Sequence, residues 1–315
     1  MRKHGLTSDS LLSVDMVLAD GSRVRASHDS ESDLFWAVQG GGGNFGVATG
    51  FEFRLRPVGP EILAGPILHR ADRAAEVLRF YRDFIAGAPD ELAVFVNLRL
   101  APAFDWVPAE LRGAPVVMLI PCYVGHVETG ERVLRPLRGF GPPAADLVKR
   151  KLWTAHQGMF DASVPHGWGY YWKSHFLPPL TDACIDVLAE WAFQPASPAS
   201  YTLLFHMGGE VERQHDALSA FSGRGAAHAI NINGAWTAGG PSHPDIEWVR
   251  AQWEALVPHS TGGLYVNFLG NEDEALVRAA YGSKYSRLAE IKARYDPQNV
   301  FRANQNIAPA GLASL

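Results

Sequence analysis

Apolar residues recur along this chain at two periods, and the change of period marks its elements. Between residues 11 and 26 they fall two apart. Leu12, Val14, Met16 and Leu18 share one face, Asp20-Gly21 supplies a turn, and Arg23-Val24-Arg25-Ala26 returns. This pattern predicts a β-hairpin. Ser30-Glu31-Ser32-Asp33 then fits a capping box, with Asp33 in place of the usual Glu, and predicts a short helix over residues 33–38. From residue 47 the period returns to two. Val47, Thr49, Phe51, Phe53 and Leu55 alternate with Ala48, Gly50, Glu52 and Arg54, and Pro57 and Pro60 end the strand.

The remainder predicts long strands with interspersed helices. Residues 61–69, 92–100, 115–124, 201–213 and 228–237 read as strands. Residues 71–86, 128–137, 181–193, 244–256, 273–281 and 286–295 read as helices, the last with Leu288, Ile291 and Tyr295 at helical spacing. Strands in runs, with helices between them, point to an α+β fold whose large antiparallel sheet has one face covered. Residues 298–310 form an irregular, mostly uncharged tail, and no internal repeat is present.

The loop between the first helix and its strand is the main candidate for chemistry. Gly40, Gly41, Gly42 and Gly43 are consecutive, followed by Asn44, Phe45, Gly46 and Val47. So little side-chain bulk lets backbone N–H groups approach a phosphate or a planar ring. Gly41, Gly43 and Gly46 formally satisfy the dinucleotide fingerprint G-x-G-x-x-G, but that fingerprint runs from strand to helix. Here the order is helix, loop, strand, which disfavours a nicotinamide-dependent dehydrogenase. The bland alternative is a tight structural turn.

Bulk properties narrow the function classes. A chain of 315 residues with 47% hydrophobic and 19% charged content has ample core for one large or two intimate domains. A formal charge of −5 argues against nucleic acid as a partner, and Lys149-Arg150-Lys151 reads as a solvated run. Cys122 and Cys184 lack disulfide-scaffold or metal spacing, as do His156, His166 and His175, so no metal is expected. The first residues lack an apolar signal region, and no stretch suits a membrane span; a cytoplasmic protein without membrane partners is the expectation. Tyr170-Tyr171-Trp172 fits a pocket wall or a core strand.

Two long motifs carry a family resemblance. Residues 35–47, Phe-Trp-Ala-Val-Gln-Gly-Gly-Gly-Gly-Asn-Phe-Gly-Val, resemble the FAD-domain motif of the berberine bridge enzyme-like oxidases, within the vanillyl-alcohol oxidase and p-cresol methylhydroxylase superfamily. Residues 281–307 resemble the closing signature of the same family. Tyr170 to Ser174 and Gly208-Gly209-Glu210-Val211 are weaker matches.

The resemblance implies an FAD-dependent oxidase. Hydride would pass from a small organic or sugar-like substrate to flavin N5, with O₂ as acceptor. Gly40 to Val47 would lie against FAD, and Asn304 and Asn306 in the tail would approach it. Residues 1–58 would be part of an FAD-binding domain, 59–270 a substrate domain, and 271–315 a segment returning to the FAD domain. Two departures qualify this. The family's preceding FAD-binding portion, with its main pyrophosphate loop and covalent attachment residues, has no counterpart here. Weak FAD binding, an exposed apolar patch, and a missing N-terminal segment as a partner are therefore expected, with a flavin-free remnant or binding module as the alternative. Many members also carry Asn-Tyr where this chain has Asn267-Phe268. Tyr265 is the remaining candidate proton acceptor; on a strand it would share a face with Asn267, with Phe268 opposite.

Overall fold

The alternating segments pair into two antiparallel sheets. The structure, a computed structural model, describes every residue except 196, 241, 271–273, 303–304 and 312–315. The first sheet has the order β2-β1-β3, from β1 (Leu11–Val17), β2 (Arg23–Ser27) and β3 (Val47–Phe53). Gly21, at φ +83°, closes the hairpin, and Leu18 N–H donates to Ser22 O at 2.9 Å. The expected inward set changes at its start: Leu11 is buried and Leu12 half-buried. The β1–β3 register shifts between Leu11 and Ser13, and such a bulge redirects a side chain to the other face.

Helix α1 (Ser32–Val38) forms as expected, but without the capping box. Its N-cap is Glu31, in the left-handed region at φ +50° and with no side-chain cap. Tertiary partners take the acidic groups instead. Glu31 accepts from the Tyr295 hydroxyl, and Asp33 pairs with Arg287 at 3.0 Å and Arg294 at 3.4 Å.

The second sheet has nine strands. They are β4 (Glu61–Ala64), β5 (Ile67–Arg70), β6 (Leu92–Leu100), β7 (Pro115–Tyr123), β8 (Ala145–Asp146), β9 (Lys149–Leu152), β10 (Gly169–Leu177), β11 (Tyr201–His206) and β12 (His228–Trp236). The main path runs β10-β12-β11-β6-β7-β4-β9, with β5 between β7 and β8. The expected strand over 61–69 is split at Gly65-Pro66. The expected strand over 201–213 stops at His206, where Gly208-Gly209 intervene before a helical turn at Glu210–Arg213.

Register gives this sheet two unlike faces. Val94, Val96, Leu98, Leu204, Ile230 and Ile232 pack with helices α2 (Ala74–Ala86), α5 (Asp182–Trp191) and α7 (His243–Leu256); α3 (Val127–Gly139) and the short α4 (Trp153–Gln157) lie between α2 and α5 in sequence, and α6 is the turn just named. On the other face Phe95, Asn97 and Arg99 stand opposite Phe205, Leu203 and Tyr201. That face is only partly covered.

A separate core joins the two ends of the chain. Val14, Phe35 and Phe45 pack with Tyr281, Leu288 and Ile307, bringing α8 (Glu274–Tyr281) and α9 (Tyr285–Tyr295) onto the first sheet. Among the described residues, no helix is long and apolar enough to cross a membrane.

Candidate functional site

The glycine loop is held in place by its own side chains, which leaves its backbone as the available surface. Phe45 is fully buried and Asn44 is 2% exposed. Asn44 ties the loop to the tail: its side chain donates to Gly41 O at 2.8 Å and Gln305 O at 3.1 Å, and accepts from Ile307 N–H at 3.0 Å. Gly41 is also buried, whereas Gly42, Gly43 and Val47 are exposed and Gly40 and Gly46 half-buried. Glycine is required at residue 40 for two reasons. Its φ is +141°, and a Cβ there would sit 2.3 Å from Phe221 N.

Buried cations lock the surrounding walls. Lys292, in α9, donates to Asn44 O at 2.5 Å, Asp296 Oδ2 at 2.5 Å and Phe301 O at 2.7 Å. Lys292 and Asp296 are both fully buried. Burial draws the Lys292 ammonium down, partly offset by Asp296. Burial opposes the charged form of Asp296, but Lys292 and the Val300 and Phe301 amides outweigh it and hold the carboxyl below its usual range. Lys284 gathers the 216–221 segment, donating to Asp216 O at 2.6 Å, Ser219 O at 3.0 Å and Phe221 O at 2.5 Å. Arg224 pairs with Asp9 at 2.5 Å in a buried bridge. The segment then docks on the loop: Phe221 N–H donates to Gln39 O at 3.1 Å and Ala220 N–H to Trp36 O at 3.2 Å.

A cavity of about 510 Å³ opens between these walls. Gly40 and Gly42 border it on one side, Leu6 and Ser8 on another, and Phe221 and Tyr265 close it. Gln39 reaches behind the loop: its Nε2 donates to Ser8 O at 2.9 Å, while its buried Oε1 has no partner among the described residues. Asn306 Oδ1 is likewise buried without a partner. Asn304 lies outside the described residues. Among the described residues, no basic side chain borders this cavity. Such walls suit a planar ligand with a polar edge better than a polyphosphate.

Tyr265 stands at a junction rather than on a strand. Residues 266–268 form a 3₁₀ turn, with Phe268 N–H donating to Tyr265 O at 2.8 Å. The expected opposite placement of Tyr265 and Phe268 is therefore corrected: their rings meet edge-on at 4.9 Å. A three-residue turn brings residues 265 and 268 together, where a strand would separate them. Asn267 Nδ2 donates to the Tyr265 hydroxyl oxygen at 2.8 Å. The Tyr265 ring borders both the loop cavity and a smaller one of about 190 Å³, which it shares with Phe205 and Phe268. Phe205 in turn borders a third cavity, of about 340 Å³, on the open face of the large sheet. The three are therefore neighbours, with Tyr265 as a shared wall of the first two and Phe205 of the last two.

Sequence reasoning did not single out Phe205, Phe221, Gln39, Asn97 or Arg99. One signal was present in β6. Its even positions, Leu92 to Leu98, are uniformly apolar, while Phe95, Asn97 and Arg99 mark a second face that is neither core nor plain solvent. Of the aromatic run, the Tyr170 hydroxyl donates to Pro165 O at 2.8 Å, and Trp172 Nε1 is buried without a partner. Among the described residues, no cluster of His, Cys, Asp or Glu is placed to hold a metal.

Residues 264–308, from the Tyr265 turn to the tail behind the glycine loop, match the family model described as berberine and berberine like. That segment is a berberine-like domain, and the relatives that match the rest of the chain are FAD-linked oxidoreductases. The family's closing signature, expected at residues 281–307, lies inside the matched segment. An FAD-linked oxidoreductase of Dictyostelium discoideum is 28% identical over 313 residues, covering 98% of this chain and 65% of its own length. (R)-6-hydroxynicotine oxidase of Paenarthrobacter nicotinovorans is also 28% identical, over 333 residues, covering 98% of this chain and 68% of its own. A solved structure of xylooligosaccharide oxidase from Myceliophthora thermophila C1, in complex with xylobiose, superposes with a TM-score of 0.82 at 21% identity, covering 98% of this chain and 68% of that one. The chain thus spans about two thirds of the length of the curated relatives it matches. The α+β architecture is that of these oxidases.

Proposed function

We propose that the chain works in an FAD-dependent oxidoreductase, with the cavity beside Gly40 and Gly42 receiving the flavin ring. The observation that carries this reading is the row of three neighbouring cavities from the glycine loop to the open sheet face, with Tyr265 and Phe205 as shared walls. One end fits a planar ring and the other an organic substrate, with Tyr265 between them. The residues present fit the ring. Gly40 and Gly42 offer backbone, Phe221 an apolar face, and Ser8 and Asn267 polar groups. With no basic side chain among its described residues, the cavity offers a diphosphate backbone groups rather than side-chain charge.

Bound flavin would supply a hydride acceptor at N5 that O₂ can reoxidise. The chain's own contributions are steric and protic. The aromatic rings of Phe205, Phe221 and Phe268 exclude water from the junction. Asn267 donates to the Tyr265 oxygen, a hydrogen bond that favours the phenolate, and it is as phenolate that this oxygen would receive a substrate hydroxyl proton. The substrate is a small organic or sugar-like molecule, as the names of the relatives suggest.

Flavin titration tests this. Added FAD should give saturable quenching of flavin fluorescence, and Gly42→Trp should abolish it. A protein that never perturbs flavin would return the chain to a flavin-free binding module. In a flavin-loaded sample with turnover, Tyr265→Phe should lower kcat about a hundredfold or more. An unchanged kcat would remove Tyr265 as the proton acceptor.

A further inference from the structure

The cavity on the open sheet face contains a cation that the fold does not neutralise. Arg99 is 7% exposed and borders the cavity of about 340 Å³. Its Nε donates to Leu100 O at 3.0 Å, and its guanidinium lies 5.1 Å from the Tyr201 ring centre. Neither contact supplies negative charge. Burial lowers the guanidinium's pKa, and no carboxylate among the described residues pairs with it. Elsewhere the chain treats buried cations differently. Arg224 has Asp9, and Lys292 has Asp296. A buried charge without a partner is costly, and the guanidinium fork matches a carboxylate in shape.

The rest of the cavity describes the molecule attached to that carboxylate. Phe95, Phe104, Trp106 and Phe160 make its walls apolar and aromatic. Two residues along the strand, Asn97 is 5% exposed, and its Oδ1 has no partner. From Arg99 to Phe95 is four residues of extended chain, on the order of 13 Å. Phe95 faces Phe205 across the strand pair, and Phe205 opens toward Tyr265.

We propose that Arg99 anchors the carboxylate of an aryl or alkyl carboxylic acid lying on this face, with its reactive end toward Tyr265. Asn97 accepts from a hydroxyl or amino group part-way along. The substrate-class assignment rests on the oxidoreductase reading above; carboxylate binding does not require flavin.

The probes are 3-phenylpropionate and its neutral amide, titrated by calorimetry into the wild-type chain without added flavin. The carboxylate should bind about tenfold to a hundredfold more tightly than the amide. Arg99→Gln should erase this preference, and Arg99→Lys should retain part of it, because lysine keeps the charge without the fork. Equal binding of the two probes to the wild type overturns the proposal, whether or not the variants fold. So does a preference that survives in folded Arg99→Gln. A separate FAD titration of the same sample reads the oxidoreductase assignment, so the two can fail independently.

Discussion

The glycine-loop wall and the open sheet face meet at Tyr265, yet they are built on opposite plans. At the loop, side chains turn inward. Asn44 and Phe45 are buried, Lys292 and Lys284 fasten carbonyls, and backbone faces the cavity. On the sheet, the backbone is consumed by strand pairing and the side chains Phe95, Asn97 and Arg99 face the cavity. A backbone wall binds by shape and tolerates little change. A side-chain wall sets chemistry and can be altered one residue at a time. Substitutions at the loop should therefore register first as lost stability, and those on the sheet as altered ligand choice.

Lys292→Met is the most severe test of that contrast. Removing the ammonium leaves Asp296 charged and buried, and strips Asn44 O of its donor. Breaking one side of a buried pair costs about 3–5 kcal/mol, which urea denaturation would measure. A loss below about 1 kcal/mol would mean that the wall does not depend on its buried cations. Arg99→Gln removes a nearly buried cation that has no anionic partner among the described residues, so its cost should be far smaller. Near-equal costs would erase the distinction between the two regions.

Gly40→Val comes next. The positive φ costs roughly 1–2 kcal/mol and the clash with Phe221 N about 1–3 more. Thermal unfolding should shift down by several degrees, and flavin-dependent stabilisation should vanish. Phe205→Leu, on the sheet side, should cost less than about 1.5 kcal/mol while changing ligand preference.

The contrast also shows what could be read from sequence. Element types were largely legible, because β6, β12, α7 and α9 each keep a clean period and end at turn residues. The glycine loop was legible because its signal is local: a run of glycines in fixed order between helix and strand. The sheet-face cavity was not, because it is assembled from β6, β7, β11 and residues 102–164, and register sets which residues meet. Arg99 reads as an ordinary strand charge until Tyr201 is known to lie opposite. The Tyr265 turn was misread as a strand because Leu264-Tyr265-Val266 has strand composition; a hydrogen bond three residues long decided otherwise.

Acid should separate the large sheet as a whole from the loop wall. His206 and His228 lie on the helix-covered face of the large sheet, with rings 5.1 Å apart. Burial, and then the neighbouring His206, depress His228 to about 3; burial and Arg2 depress His206 to about 4. Because the folded values lie below the unfolded value near 6.5, stability is full above that pH. It falls as pH drops toward 4, by about 1.4 kcal/mol per unit for each histidine. The loop wall has no such group: Asp296, held low, stays charged through this window. Urea midpoints from pH 7 to 4 should fall, and His206→Gln with His228→Gln should flatten the slope. An unchanged slope would place the acid-sensitive groups elsewhere.

The smallest stability effect is expected at the outer strand of the first sheet. Phe51 is 60% exposed and Leu55 90% exposed, and among the described residues β3 pairs only with β1. An apolar edge strand with free N–H and C=O groups invites association. Phe51→Ser removes little buried area, so stability should change by no more than about 0.5 kcal/mol. Self-association should fall visibly in sedimentation velocity at high protein concentration. The useful comparison is with Phe45→Ser, six residues earlier, whose fully buried ring packs between Leu288 and the first sheet. That change should cost about 3–5 kcal/mol. Similar costs for the two would mean that β3 is packed against something in solution, and the backbone wall would then extend beyond the glycine loop.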